Sequence, residues 1–221
     1  MTTLIPPRFL FRWCFPVPYL ADYPGDESLP ELPPSCALPS LQEMDGVRDF
    51  AEWRLAWNES GLALMVDVAG KTEPVQCDVS APTSSAGVHV WIDTRATQTV
   101  HRATRFCHRL ALLPAGLGRH RRQPSAVFLP LGPARSEAPA AAEAIRIAST
   151  LRDDGYRLQA WIPAACLHGY DPAAQPRLGF YGVVRDAELG LQALTVGPPF
   201  PYESDPSLWQ LLELVRRAPV A

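Results

Sequence analysis

The sequence predicts an all-β protein, an antiparallel β-sandwich of roughly ten strands with little helix, and three observations support this prediction. Apolar residues alternate with polar ones at a period of two over many short stretches, which is the pattern of half-buried strands. The 24 prolines of the 221-residue chain lie between these stretches, as loops joining short strands require. The stretches also recur at spacings typical of a sandwich.

The N-terminal region contains one predicted strand and one long predicted loop. The stretch RFLFRWCF, residues 8–15, alternates aromatic and other residues and predicts a strand with one aromatic face inward. That face would consist of Phe9, Phe11, Trp13 and Phe15. Residues 16–46 hold seven prolines and are predicted to be a loop. The sequence leaves open whether this proline-rich segment packs on the sandwich.

The central region predicts a β-hairpin followed by three further strands. EWRLAWN and LALMVDVAG flank the turn ESG, and alternation assigns Trp53, Leu55 and Trp57 to one face. GVHVWIDT predicts a strand with Val88, Val90 and Ile92 on its apolar face. RATRFCHRLALLP, residues 102–114, and SAVFLPL are the next two predicted strands.

The second half continues in the same style. AIRIASTLRDDGYRLQAWIP predicts a hairpin, and RLGFYGVVRDAE and LQALTV predict two more strands. GPARSEAPAAAEA is a low-complexity connection in which a brief helix is weakened by Pro139. SLWQLLELV predicts either a last strand or a short helix capped by Asp205. The whole chain, 1–221, is expected to be a single domain.

Composition restricts partners and location. The net charge of -3 and the pI near 5.9 do not fit a nucleic acid or an anionic membrane, so neither is predicted as a partner. No apolar run is long enough for a membrane helix, and the N-terminus does not have the pattern of a signal peptide. Five scattered cysteines without a C-x-x-C pair fit reduced thiols and a cytoplasmic location. The oligomeric state stays open.

Three stretches in a fixed order resemble a known family. They are MDGVRDFAEWRLAWNESGLALMVDV, GVHVWIDTR and GYRLQAWIPAACLHGYDPAAQPRLGFYGVVRD. A tryptophan-bearing strand, a turn, an apolar strand, a strand ending in Ile-Asp and a later Ile-Pro after a Gly-Tyr hairpin resemble the family 9 carbohydrate-binding modules and the related DOMON-like domains. The resemblance spans about residues 44–215. It implies a β-sandwich of jelly-roll type.

The resemblance also implies a non-catalytic domain that binds a carbohydrate or a similar polar small molecule. In sugar-binding members the ligand lies between aromatic side chains with polar groups at the rim. A pyranose stacks its apolar face on an indole, while polar side chains bind its hydroxyls. Alternation places two tryptophans among polar neighbours, away from the apolar face of their strands. The candidate ligand-binding residues are therefore Trp91 with His89 and Asp93, and Trp161 with Arg157 and Gln159.

Two alternatives to sugar binding stay open. Sandwich strands often bury large aromatics under loops, so the chain can also be a structural or protein-interaction sandwich without a ligand. Some DOMON-like relatives bind haem through a methionine, and Met65 lies on a suitable strand. Nothing in the spacing identifies a second axial residue. No cofactor is therefore predicted, although a haem or metal protein remains an alternative.

The stretch HRATRFCHRL, residues 101–110, combines histidine, cysteine and arginine. In an extended strand His101 and Cys107 would be roughly 20 Å apart at about 3.3 Å per residue, so one metal cannot bind both. Cys107 and His108 would point to opposite faces. The arginines are a candidate anion patch for an acidic sugar or a phosphorylated ligand, or else a solvated surface. These arginines are Arg102, Arg105 and Arg109.

Catalysis has little support in the sequence. The chain contains no G-x-S-x-G elbow, no glycine-rich phosphate loop and no H-E-x-x-H. Asp153 and Asp154 are adjacent turn residues that would diverge and could not flank a glycosidic bond. The sequence therefore predicts that the protein is not an enzyme.

Overall fold

A computed structural model describes residues 6–26, 28–131 and 142–216, and these residues form eleven strands in two sheets. The strands are β1 Cys14–Pro18, β2 Ala51–Asn58, β3 Gly61–Ala69, β4 Gly87–Asp93, β5 Cys107–Leu117, β6 Gln123–Leu129, β7 Arg146–Arg152, β8 Gly155–Pro163, β9 Arg177–Asp186, β10 Gly190–Ala193 and β11 Gln210–Val215. The helices of the described ranges are six single 3-10 turns, at Pro7–Leu10, Pro34–Cys36, Gln42–Asp45, Ala142–Ala144, Ala164–Cys166 and Pro206–Leu208. Within the same ranges, no helix has the length and apolar character needed to cross a membrane.

The two sheets pack face to face and confirm the predicted β-sandwich. The seven-stranded sheet has the order β1-β11-β9-β4-β5-β6, with β10 also paired to β9. The four-stranded sheet has the order β2-β3-β8-β7. Every pairing is antiparallel except that of β1 with β11, which is parallel. The chain thus brings its first and last described strands side by side.

The predicted alternation identifies the core between the sheets correctly. The inward residues of the β2–β3 hairpin include Trp53, Leu55 and Trp57, all at most 3% exposed. The inward residues of β4 are Val88, Val90 and Ile92, all fully buried. Each side chain of this size contributes about 1.5–3 kcal/mol when it is fully removed from water. The period-two pattern therefore reflects the main source of stability.

The outer faces of both sheets are also covered by the chain. The proline-rich segment folds back over the four-stranded sheet, where Leu32 is fully buried and Tyr23 contacts Trp161. Residues 194–209 cover the seven-stranded sheet in the same way. Strands buried on both faces carry apolar residues at outward positions too, because both layers contribute to packing.

The predicted strand at residues 8–15 is wrong. Pro7–Leu10 is a 3-10 turn, and β1 begins only at Cys14. Proline fixes φ near the value of a first helical turn, and Phe9 N donates to Pro6 O at 3.0 Å. As a result Phe9 and Phe11 are 41% and 56% exposed, whereas Phe15 is buried in the core and Trp13 packs against it half-buried.

Other boundaries differ from the prediction for local reasons. The strand predicted at 102–114 begins at Cys107 and runs to Leu117. A turn precedes it, closed by the bond from Cys107 N to Thr104 O at 3.0 Å. The brief helix predicted in the alanine-rich connection falls largely on residues 132–141, outside the described residues. Both predictions for the last segment are realised, because Asp205 accepts a hydrogen bond from Ser207 N at the 3-10 turn that precedes β11.

Candidate functional site

The candidate ligand residues lie on two different layers of the sandwich. Trp91 belongs to β4 and points to the outer face of the seven-stranded sheet, packed with Tyr181 and Tyr202. Trp161 belongs to β8 and points to the outer face of the four-stranded sheet. The core separates the two faces. The two tryptophans therefore do not enclose one common ligand.

The residues around Trp91 are deeply buried. The ring centroids of Tyr181 and Tyr202 each lie 5.6 Å from that of Trp91, which is fully buried. His89 Nε2 lies 3.0 Å from Ser85 O, and burial lowers the pKa of His89 to about 4. Asp93 caps a turn, since its carboxylate accepts hydrogen bonds from the backbone N–H groups two and four residues later.

The residues around Trp161 have different environments. Trp161 is 4% exposed beneath Tyr23. The side-chain amide of Gln159 donates to Leu29 O at 3.1 Å and to Pro30 O at 2.8 Å, and so holds the covering segment. Arg157 is partly exposed and reaches the rim of an open cleft. Of the six candidates, it alone borders that cleft among the described residues.

The three arginines of the candidate anion patch also have different environments, two exposed and one buried. Arg102 and Arg105 are exposed in the loop before β5, and the Arg105 guanidinium lies 5.0 Å from the Phe106 ring. Arg109 is only 7% exposed on the outer face of β5. The described residues contain no group of three or more side chains placed to hold a metal ion. Met65, on the outer face of β3, is fully buried beneath the proline-rich segment.

The cleft, of about 860 Å³, opens where β2 begins and β3 ends. Its walls come from four separate parts of the chain, around residues 38–54, 67–70 and 189–194 and at Arg157. One wall is apolar and the rim is polar. The apolar side chains are Leu38, Leu41, Phe50, Leu189 and Leu194, and the polar ones include Arg48, Asp49, Glu52, Arg54, Asp67, Arg157 and Gln192.

At the cleft, the Gln192 side chain links β10 to the start of β2. Its Oε1 accepts hydrogen bonds from Phe50 N at 2.7 Å and Ala51 N at 2.9 Å. Its Nε2 donates to Ala51 O at 2.7 Å and to Asp49 Oδ1 at 3.1 Å. Gln192 is 5% exposed, and its two bonds to Ala51 are buried. The Asp49 carboxylate is therefore held in one orientation at the cleft wall.

Trp53 contributes a buried donor beside the cleft. The residue is 3% exposed, and its indole packs edge-on against Phe180 with ring centroids 6.4 Å apart. The indole Nε1 is buried and has no hydrogen-bond partner among the described residues. A buried N–H without an acceptor is costly, so this group lowers the stability of the fold as it stands.

The polar rim consists of paired charges. Arg54 Nε lies 2.5 Å from Glu52 Oε1, with the carboxylate half exposed. Asp67 binds two guanidinium groups, those of Arg152 and Arg157, at 2.6 and 2.7 Å. Burial raises the pKa of Asp67, but the hydrogen bonds from both arginines outweigh it and leave the pKa below its ordinary value. The rim therefore offers fixed acceptors and fixed donors at neutral pH.

Three solved structures share this arrangement of sheets. Two are family 9 carbohydrate-binding modules from Caldicellulosiruptor kristjanssonii, one in complex with glucose and one in complex with cellotriose. The glucose complex has a TM-score of 0.53 at 14% identity, covering 77% of this chain and 79% of that chain. The cellotriose complex has a TM-score of 0.57 at 13% identity, covering 94% and 96%.

The fold is that of the family 9 carbohydrate-binding modules. A third structure with this fold, a candidate carbohydrate-binding protein from Bacteroides uniformis, has a TM-score of 0.50 at 12% identity and covers 93% of this chain and all of that one. The sequence itself matches no protein-family model and has no significant match among curated proteins. The family 9 resemblance seen in the strand order is thus confirmed at the level of the fold.

The cleft of this family 9 fold was not predicted from the sequence. Strand alternation indicates which face a residue occupies, whereas the cleft lies at strand ends and in loops. Asp49 and Phe50 directly precede β2, and Gln192 is separated from them by more than half of the chain. A weak signal was available, since a carboxylate and an aromatic residue stand together before a tryptophan-bearing strand.

Proposed function

We propose that this chain is a non-catalytic carbohydrate-binding domain and that the cleft beside the start of β2 holds the sugar. The observation that carries the proposal is the cleft itself, which combines an apolar wall with hydrogen-bonding groups fixed at its rim. The structural neighbours support the proposal, because two of them are carbohydrate-binding modules in complex with glucose and cellotriose. These neighbours are binding modules and not enzymes.

The dimensions and chemistry of the cleft suit a saccharide. Its volume of about 860 Å³ lies within the range of about 300–1,000 Å³ usual for small-molecule sites. Phe50 and Leu189 offer an apolar surface for the C–H face of a pyranose. Asp49, Glu52 and Arg54 offer acceptors and donors for its hydroxyls.

Calorimetric titration of the full chain with glucose and cellotriose tests the proposal. We expect binding of at least one of these sugars, and we expect Asp49→Asn to weaken it by about tenfold, because a charged hydrogen bond to a hydroxyl contributes about 1.5–3 kcal/mol. Glu213→Gln is the matched control. Glu213 lies on β11, outside the cleft, and its half-exposed carboxylate pairs with Arg177 of β9.

A ligand-free structural domain is the second candidate function. Burial of Trp91 and Trp161 beneath segments of the same chain favours it, because aromatic rings used for stacking on sugars need an exposed face. No heat of binding at millimolar glucose and cellotriose would support this second function and contradict the first. Binding that is unchanged in Asp49→Asn would remove the cleft as the sugar site.

A further inference from the structure

The outer face of the seven-stranded sheet carries a cluster of nitrogen donors. We call it the donor cluster, and it consists of His89, Trp91, Arg109 and Arg185. Trp91 is the register partner of Arg109, whose guanidinium carbon lies 4.8 Å from the indole centroid. The rings of His89 and Trp91 are 6.5 Å apart. Arg185 is the register partner of the residue two before His89 on β4.

Several donors of this cluster are buried without an acceptor. His89 and Trp91 are fully buried, and Arg109 is 7% exposed. Among the described residues, the indole Nε1 of Trp91, the Nε of Arg185 and both the Nε and the Nη2 of Arg109 have no hydrogen-bond partner. Buried donors are normally paired, so this concentration on one face points to a ligand that supplies acceptors.

The charges of the cluster are unbalanced. Glu203 is the one carboxylate within ion-pair distance of either guanidinium among the described residues. It accepts a hydrogen bond from Arg185 Nη2 at 2.8 Å. It lies 3.3 Å from Arg109 Nη2 without hydrogen-bond geometry. Two guanidinium groups thus share one half-exposed carboxylate, and the cluster retains an excess of positive charge.

The Nε–Nη2 edge of Arg109 has the shape of a carboxylate receptor, and Glu203 lies within ion-pair distance of its Nη2. The Nε–H and one Nη2–H of a guanidinium point in parallel along one edge, at a spacing that matches the two oxygens of a carboxylate. In Arg109 both of these nitrogens lack a hydrogen bond within the described ranges, and the plane is held against the Trp91 ring. The Glu203 side chain beside this edge is 43% exposed.

We propose that the Nε–Nη2 edge of Arg109 binds the carboxylate group of a small acidic ligand, which enters beside Glu203. The carboxylate belongs either to an acidic sugar or to a simple carboxylic acid. This site goes beyond the proposed binding of a neutral sugar. It lies on the outer face of the seven-stranded sheet, whereas the cleft opens beside β2 of the four-stranded sheet.

Titration of the full chain with D-glucuronate, acetate and glucose tests this site. We expect glucuronate or acetate to bind, and Arg109→Lys to weaken that binding by about tenfold or more, because lysine keeps the charge and lacks the paired edge. Arg177→Lys is the matched control on β9, since Arg177 is 53% exposed and paired only with Glu213 among the described residues. Binding of acetate as well as glucuronate would show that the carboxylate alone is recognised. Binding of glucuronate alone would identify an acidic sugar.

Glu203→Gln provides a second variant, which leaves Arg109 itself unchanged and removes the carboxylate beside its Nη2. Removing the competing carboxylate should tighten glucuronate or acetate binding several-fold. Absence of carboxylate binding by the natural chain would overturn the proposal, as would equal affinity in Arg109→Lys with an unchanged circular dichroism spectrum. Loss of glucose binding in Asp49→Asn concerns the cleft alone. The carboxylate site and the sugar cleft are therefore tested independently of each other.

Discussion

Two histidines are held neutral by burial in this fold. His89 lies on the outer face of β4, and His108 lies near the start of β5, paired across the ladder with Ile92. Burial disfavours the imidazolium form and lowers the pKa of each to about 4. Both residues are short of partners, because the Nδ1 of each ring is buried without one among the described residues.

These histidines should make stability depend on pH in a defined window. As the pH falls below about 6.5, the unfolded chain binds protons that the folded chain binds only near pH 4. The free energy of unfolding is therefore highest above about pH 6.5. Each histidine lowers it by up to about 3 kcal/mol as the pH falls towards 4. Urea denaturation at a series of pH values measures this slope.

The corresponding variants identify the source of the slope. His89→Gln and His108→Gln should each flatten the pH dependence of the free energy of unfolding. His120→Gln should leave it unchanged, because His120 is exposed. An identical slope in all three variants would contradict the assignment.

At the scale of the element, alternation predicts a strand well where one face of the strand packs into the core. The hairpins β2–β3 and β7–β8 were predicted because each carries one face into the core. The aromatic alternation at residues 8–15 failed, since a period of two does not reveal whether another layer covers the face. Pro6 and Pro7 favour a 3-10 turn there, and the aromatic side chains at the turn remain exposed.

The proline-rich segment behaves as an integral layer of the fold, and Leu32 tests this. Leu32 is fully buried against the outer face of the four-stranded sheet. We expect Leu32→Ala to lower the free energy of unfolding by about 2–5 kcal/mol, as for other buried leucines. Leu10→Ala is the control, because Leu10 is 68% exposed and should change stability by less than about 0.5 kcal/mol. Equal values for the two variants would mean that the segment does not pack on the sheet.

At the scale of the whole molecule, a buried ion pair links the two sheets. Lys71, the single lysine of the chain, follows β3 of the four-stranded sheet, and Asp186 ends β9 of the seven-stranded sheet. The Nζ–Oδ1 distance is 2.6 Å, and the two side chains are 3% and 1% exposed. Asp186 also accepts hydrogen bonds from the backbone of Glu188 and Leu189.

Removing one charge of this pair should destabilise the protein strongly. Lys71→Met leaves the Asp186 carboxylate buried without its cation, and we expect a loss of about 3–5 kcal/mol. Lys71→Met combined with Asp186→Asn should recover most of that loss, because asparagine is neutral and keeps an acceptor for the backbone. Arg177→Met, in an exposed pair, is expected to cost less than about 1 kcal/mol. Thermal or urea unfolding of these three variants and of Asp186→Asn alone measures the differences, and additive single and double effects would contradict the pairing.

The candidate sites show where reading a sequence reaches its limit. Alternation correctly placed Trp91 and Trp161 away from the central core, yet it could not show that other segments of the chain cover both. The cleft depends on loops that meet only after both sheets have assembled, since Asp49 and Gln192 are distant in sequence. Local pattern therefore predicts layers, and only the assembled chain reveals concave surfaces.

The parallel pairing of β1 with β11 has a consequence for synthesis on the ribosome. Among the described residues, β1 forms the edge of the seven-stranded sheet and pairs there with β11 alone, with Cys14 opposite Leu211. At a translation rate of about 5–20 residues per second, β1 waits on the order of ten to forty seconds before that partner emerges. Because β11 also separates β1 from β9, β1 joins the larger sheet only after β11 has been synthesised. Until then, Phe15 and Val17 lack the partner strand beside which they reach the core.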